Sequence, residues 1–314
     1  MGKMSENTLQ CRICRSYLVE EIGTVGVKPI SVTSDSKLIE KESVVFICGQ
    51  CGHIQKFHDA QTAGIIADNY SSYDIYHLSN GSEQVVFPTD SSSKTRTQLV
   101  FEKIIGYIPE RGNLLDIGSG NGAVLKTASQ MLGGWKLFSY DVVDRFKEEI
   151  LKITNVISFS STSLETIPFA EYDLITLWHS LEHMESPLDT FERLQRYFHD
   201  STNILIQVPD VIRNPFDLAI IDHVSHFSKD SLLGLLSAKG FIMVLDGSEW
   251  VHNCATLFLK YEGSGWCPGL TRDVGPIKLE LSDTLLWIRR VLLEMDDLIR
   301  GRKFGIFGMG LSSL

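Results

Sequence analysis

The sequence predicts an α/β fold built on a mostly parallel sheet, and three observations carry that prediction. From residue 113 onward, short apolar runs alternate with segments of helical periodicity. The run Asp116-Ile117-Gly118-Ser119-Gly120-Asn121-Gly122 follows Leu114-Leu115 and leads into Ala123-Val124-Leu125, which reads as strand, glycine turn and helix start. An acid, Asp141, ends the next strand-like run, Lys136-Leu137-Phe138-Ser139-Tyr140. Glycines let a backbone approach a ligand closely, and an acid at the end of the second strand can bind two ribose hydroxyls. Together they follow the logic of nucleotide-type binding in a βαβ unit.

Upstream of the sheet lie four of the six cysteines, in Cys11-Arg12-Ile13-Cys14 and Cys48-Gly49-Gln50-Cys51. Each CxxC turn can offer two thiolates to one metal, so the set Cys11, Cys14, Cys48 and Cys51 reads as tetrahedral zinc. A redox dithiol and chance spacing are the other readings, and His53 or His58 could stand in for a cysteine. Cys254 and Cys267 stand alone and read as small buried hydrophobes. The run Ser43-Val44-Val45-Phe46-Ile47 reads as a strand entering the second CxxC, and residues 1–60 are expected to form a zinc-binding module. Residues 61–95 are rich in Ser, Tyr and Asn; Asn69 to His77 have little helical periodicity, so the segment reads as a tyrosine-rich connector. Ser91 to Ser93 are expected to cap a helix running to roughly residue 108 through Leu99, Ile104, Ile105 and Ile108.

Strands are expected at 113–117, 136–141, 155–159, 172–177, 202–208, 241–246 and 254–260, and helices at 121–132, 143–151, 187–198 and 228–239. The last helix opens at Ser228 and closes at Gly240, good start and stop signals. This alternation predicts a seven-stranded, Rossmann-like sheet covered on both faces, spanning 96–262, with the final strand pair joined without a helix. A long helix is expected over 276–300, where Leu285, Ile288, Leu292, Met295 and Ile299 recur at helical spacing as a packing face. Lys303 to Gly310 reads as one more strand entering a glycine turn, so residues 263–314 are expected to hold the long helix and the start of a truncated domain.

A chain of 314 residues, 43 % hydrophobic, has room for about two domains and a sizeable core. A net charge of −10 with no Lys/Arg block argues against a nucleic-acid partner. There is no apolar run of about 18 residues and no signal-peptide pattern at the start. The expected location is the cytoplasm, with no membrane partner.

The spacing Gly118, Gly120, Gly122, with Asp116 just before the turn, departs from the G-x-G-x-x-G of dinucleotide dehydrogenases. It resembles the class I S-adenosylmethionine (SAM) methyltransferases. That resemblance implies SAM as cofactor, with Asp116 near its ammonium, Gly118, Gly120 and Asn121 against its methionine part and Asp141 on its ribose. Ser180-Leu181-Glu182-His183 resembles the L-E-H segment that follows the fourth strand in many such enzymes. Trp178 and His179 would then flank SAM; Glu182 and His183 would be catalytic or a structural pair closing the loop. Ser163 matches the position that contacts the adenine amine, where the family usually has Asp.

The order of cysteine module, tyrosine-rich connector, SAM fold, long helix and further glycine turn resembles the zinc-containing nucleotide-sugar C-methyltransferases. Cys11, Cys14, Cys48, Gly49, Cys51 and Gly52 match the first motif of that family, and Tyr70, Tyr73 and Tyr76 its tyrosine segment. Its His-Gly-Gly-Ser segment is partly matched by His252-Asn253-Cys254-Ala255. The resemblance implies a small-molecule acceptor, a nucleotide-linked deoxysugar of carbohydrate biosynthesis, lined by Tyr73, Tyr76 and His179. The family's Tyr-His-Glu-His segment aligns with Ile220-Ile221-Asp222-His223, so Tyr and the first His are absent and Asp222 replaces Glu. It implies His223 as general base, oriented by Asp222, with His179 as a further catalytic residue. O- or N-methylation asks less of the site than enolate chemistry. An RNA or protein methyltransferase with a docking module is one alternative function; a non-catalytic SAM-fold binding protein is another.

Overall fold

A computed structural model describes residues 9–70, 83, 85–86, 93–263 and 273–300. Tyr73, Tyr76, Cys267 and the strand expected at 303–310 lie outside the described residues.

In chain order the principal elements begin with β1 (Val19–Thr24), β2 (Val44–Cys48), β3 (Ile54–Gln55), α1 (Ala60–Tyr70) and α2 (Arg96–Ile104). The alternating part follows as β4 (Asn113–Ile117), α3 (Ala123–Met131), β5 (Lys136–Asp141), α4 (Lys147–Ile150), β6 (Val156–Ser161), β7 (Leu174–Trp178), α5 (Pro187–Leu194) and β8 (Asn203–Pro209). It ends with β9 (Ser225–His226), α6 (Lys229–Ala238), β10 (Phe241–Asp246), β11 (Cys254–Tyr261) and α7 (Gly275–Ile299).

Seven strands form one sheet in the order β6-β5-β4-β7-β8-β11-β10. Pairing is parallel from β6 across to β8, and β11 runs antiparallel to both of its neighbours. The chain reverses direction across the sheet between β4 and β7, which opens a crevice at their carboxyl ends. Every residue of β7 is buried, as expected of a central parallel strand covered on both faces. One apolar cluster lies under α5 and α6, and a second under α2 and α3.

Local chemistry sets the element ends. Ser228 caps α6 in a capping box with Ser231, and Ser186 caps α5 with Pro187 in its first turn. Helix α2 is capped by Thr95 paired with Gln98, not by Ser91 to Ser93, because the reciprocal bonds need a side chain three residues on that reaches back. The helix expected at 143–151 shortens to α4, since Asp144 is taken up in a turn that receives the Lys147 N–H. Residues 61–70, in the expected connector, belong to helix α1.

The cysteine-bearing segment is joined to the large sheet. Strands β1, β2 and β3 form a four-stranded antiparallel sheet whose fourth member is β9, from the segment after β8. Cys11, Ile13, Cys48 and Cys51 share the apolar cluster that holds Phe227, Leu232 and Ile206. Helix α7 lies over this small sheet, burying Leu281, Leu285 and Ile288 against Val45, Ile47 and Ile54. Its inward stripe runs from Ile277 to Leu292. Met295, expected on the packing face, is exposed.

Candidate functional site

The turn between β4 and α3 is built on left-handed glycines: Gly118 has φ +78°, Gly120 +49° and Gly122 +79°. Gly118 and Ser119 donate their N–H groups to the Tyr140 carbonyl, tying the turn to β5. A Cβ on Gly118 would sit 2.4 Å from Ser180 Cβ, so only glycine lets the loop after β7 pack here. At Gly120 no atom lies within 4 Å of that position. The open side of the turn is therefore where a ligand can approach the backbone.

Two acids flank the turn. Asp116 is buried; its Oδ1 accepts from Thr176 Oγ1 at 2.6 Å, while its buried Oδ2 has no partner. Burial pushes its pKa up to about 7, with the Thr176 bond pulling the other way. Asp141 accepts from the N–H of Gly120 at 2.8 Å and of Val143 at 3.1 Å. An undonated, buried carboxylate oxygen just before the turn suits a cation, and Asp141 holds the turn's backbone through Gly120. These features fit SAM.

The other expected cofactor residues are placed as follows. Asn121 sits in the same turn. The Trp178 indole belongs to the core beneath α2, and its buried N–H has no partner. His179, with φ +48°, brings its Nε2 to 3.1 Å from Gln207 Oε1 and 3.4 Å from Arg96. Cys254, buried as expected, lies 3.8 Å from that ring nitrogen. The Ser163 hydroxyl donates to Glu165 and accepts from Arg193.

A buried acid–imidazole cluster lies on the carboxyl side of β7 and β8. Asp217 sits between two imidazoles, with His223 Nδ1 at 2.6 Å and His226 Nδ1 at 2.5 Å from its two oxygens. The sequence paired His223 with Asp222, but Asp222 turns away. It accepts from the Ser34 N–H at 2.8 Å and the Ser34 hydroxyl at 2.5 Å. Asp217 reaches His223 because the one-turn helix Pro215–Ala219 folds the chain back on itself. Asp217 was missed in the sequence; its spacing to His223 and His226 was the available signal.

The rest of the cluster comes from two chain segments. His183 meets the His223 ring edge to face, centroids 4.5 Å apart, and its Nδ1 lies 3.1 Å from the Asp222 carbonyl. Glu182 is buried, and neither carboxylate oxygen has a hydrogen-bond donor. His179 Nδ1 comes within 3.4 Å of one of them. From the cysteine-bearing segment, the fully buried Lys56 donates its Nζ to the Ile220 carbonyl at 2.5 Å.

Charge states follow from this packing. Burial drives the Lys56 pKa down to about 7, against the pull of Asp217 and Asp222. Burial raises the Asp217 carboxyl, but His223 and His226 more than offset it, holding Asp217 far below the usual range. Burial likewise opposes charge on Glu182, and His179, His183 and His223 together keep it ionised. For His223, burial lowers the pKa but Asp217, Glu182 and Asp222 raise it above the ordinary value.

The four cysteine sulfurs converge. Cys11 and Cys51 lie 3.6 Å apart, Cys14 and Cys48 3.5 Å, and all four fall within 4.8 Å of one another as free thiols. A tetrahedral zinc with Zn–S of about 2.3 Å needs sulfurs about 3.8 Å apart. The Gln50 N–H points at Cys48 Sγ at 3.4 Å. This donor set fits a closed four-thiolate site.

Residues 94–245 match the model of a family described as a methyltransferase domain. Among solved structures the chain is similar to a SAM-dependent methyltransferase from Aquifex aeolicus, at 20 % identity over 52 % of this chain and 91 % of that one, with a TM-score of 0.42. It is also similar to a SAM-dependent methyltransferase from Clostridium acetobutylicum, at 8 % identity over 63 % and 100 %, TM-score 0.47. A third is human N-acetylserotonin methyltransferase in complex with SAM, at 16 % identity over 53 % and 51 %, TM-score 0.42. No curated protein matches the chain. Residues 94–245 therefore read as a methyltransferase domain built on the seven-stranded sheet. Among the described residues no helix is long and apolar enough to cross a membrane.

The glycine turn makes a contrast that stability measurements can read. Gly120→Ala should cost about 1–2 kcal/mol, the ordinary penalty for a left-handed alanine. Gly118→Ala adds the collision with Ser180 and should cost at least about 2 kcal/mol more. Urea unfolding of both variants decides it; equal losses would contradict this packing.

Proposed function

We propose that the protein transfers the methyl group of SAM to a small acceptor, a nucleotide-linked deoxysugar, with His223 as general base. The observation that carries this reading is the Asp217–His223 pair beside Glu182, whose buried carboxylate lacks any donor. Bound SAM supplies an electrophilic methyl group on a sulfonium. In this reading the open glycine turn takes its methionine part, Asp116 its ammonium and Asp141 its ribose. Asp217 accepts from His223 Nδ1–H, which fixes the tautomer and leaves the Nε2 lone pair for a proton from the acceptor. Glu182 receives an acceptor hydroxyl that would otherwise compete for water. A hydroxyl-rich acceptor fits such a buried, undonated carboxylate, since pairing it recovers the desolvation cost.

The four thiolates hold a structural zinc in this reading, because four cysteines leave no position for a reactive water. Strand β9 lies within the small sheet and the His223 segment abuts it. That continuity supports the module as a wall of the active site over a detachable docking domain.

Two experiments test the assignment. His223→Ala should cut methyl transfer from labelled SAM to nucleotide-linked deoxysugars by about 10²–10⁴-fold. SAM affinity should stay nearly intact, and Asp217→Asn should also lower turnover without weakening SAM. Full turnover in the His223 variant, or methyl transfer to RNA or protein and never to sugars, overturns the reading.

The second concerns Asp116. Its pKa of about 7 means that much of it is protonated in the free enzyme below neutrality. The SAM ammonium favours the carboxylate, so binding expels that proton. Affinity should therefore rise with pH from about 5.5 to 7, by at most about tenfold per unit. Calorimetry in buffers of different ionisation enthalpy reads the released proton. Asp116→Asn should abolish the dependence; a flat affinity in the unaltered protein would remove Asp116 from the SAM site.

A further inference from the structure

We propose that Glu182, His183 and His223 form a divalent transition-metal site, separate from the four cysteines, and that metal bound there competes with the acceptor. The inference rests on the reading of this face as the acceptor site. One ligand atom from each of the three residues lies within 4.8 Å of the other two. Metal–ligand distances of about 2.0–2.2 Å allow such atoms to sit up to about 4 Å apart. Small side-chain rotations therefore close the site.

The donors have the chemistry that a metal requires. Both oxygens of Glu182 are buried with no hydrogen-bond partner within bonding geometry, the nearest ring nitrogen, His179 Nδ1, standing 3.4 Å away. Among the described residues no other carboxylate has both oxygens in that state. His223 presents Nδ1 to the Asp217 carboxylate at 2.6 Å, and His183 presents Nδ1 to the Asp222 carbonyl at 3.1 Å. Each contact fixes the Nδ1–H tautomer, which places the coordinating lone pair on Nε2. Carboxylate and carbonyl partners behind ligating histidines are what orient and strengthen them toward a metal. Two imidazoles and one carboxylate favour zinc, cobalt, nickel or iron(II) over magnesium or calcium, and leave open coordination positions.

Occupation has a defined consequence. A metal on His223 takes the lone pair that would accept the acceptor's proton. A metal on Glu182 takes the oxygens offered to an acceptor hydroxyl. The ion therefore inhibits, and acceptor and metal exclude one another.

Nickel(II) is the probe, added to the full chain after its cysteine site has been loaded with one zinc. Calorimetry should register one further ion per chain at micromolar affinity. Intense thiolate charge-transfer absorption should be absent, since its appearance would place the nickel on the cysteines. Glu182→Gln and His183→Ala should each weaken nickel binding by tenfold or more, and each variant is checked by circular dichroism for an unaltered fold. Inhibition by nickel should fall as the nucleotide-linked sugar is raised. Absence of a further ion up to millimolar nickel, or binding unchanged in Glu182→Gln, overturns the site. Nickel bound without inhibition overturns the competition. Failure of the sugar or base assignment is read separately, in the turnover of the His223→Ala enzyme without added metal.

Discussion

Two residues from the N-terminal segment, Ile54 and Gln55, pair antiparallel with Ser225 and His226, and most of the site depends on that short ladder. It continues outward through the Lys56 N–H, which donates to the Val224 carbonyl at 2.9 Å, and through Lys56 Nζ on Ile220. Arg12, inside the first CxxC, fixes the same strip: its N–H donates to Gln55 Oε1 and its guanidinium to the Lys56 carbonyl. The segment carrying Asp217, His223 and His226 is therefore framed from both sides. The large sheet holds one end, and the cysteine-bearing sheet holds the other. A ladder of two residues cannot stand alone in water. Its stability comes from the cysteine turns and from α7 packed across β1 and β2.

The price of this arrangement is a buried polar cluster. Lys56, Asp217, His223 and His226 are all almost without solvent. Each charge taken from water costs several kcal/mol unless paired. Asp217 is compensated by two imidazoles, and Lys56 by a carbonyl and two nearby carboxylates. Glu182 is compensated by the His179 imidazole 3.4 Å away and, through space, by His183 and His223. Low local polarisability makes these interactions strong and makes any undonated oxygen a driving force for ligand capture. In the proposed reading, the same physics links stability, acceptor binding and metal affinity at Glu182.

Much of the fold was legible because it rests on long apolar runs. All seven strands of the large sheet lie at or within two residues of their expected positions, and Ser228 does open α6. The glycine turn was legible because its residue types are demanded by backbone geometry, and the cysteine pairs because two CxxC turns bring four sulfurs together. The acid that orients His223 was not. Adjacency favoured Asp222, whereas a one-turn helix brings Asp217 to the ring and Ser34 claims Asp222. Strand β9 was illegible for a simpler reason: two residues carry no periodicity, and its partner lies far away in the chain. Helix α1 was hidden by the polar composition that follows it.

The central proposal is that zinc bound at the four cysteines would hold the His223 segment through the β3–β9 ladder. Hydrogen exchange at the Val224, Ser225 and His226 amides measures it directly, comparing the zinc-loaded chain with the Cys11→Ser, Cys48→Ser double variant. The account predicts that protection of those amides falls by at least about tenfold in the variant. Protection in β4, β7 and β8 should be retained. Unchanged protection at residues 224–226, in a variant shown to have lost its metal, would contradict the account.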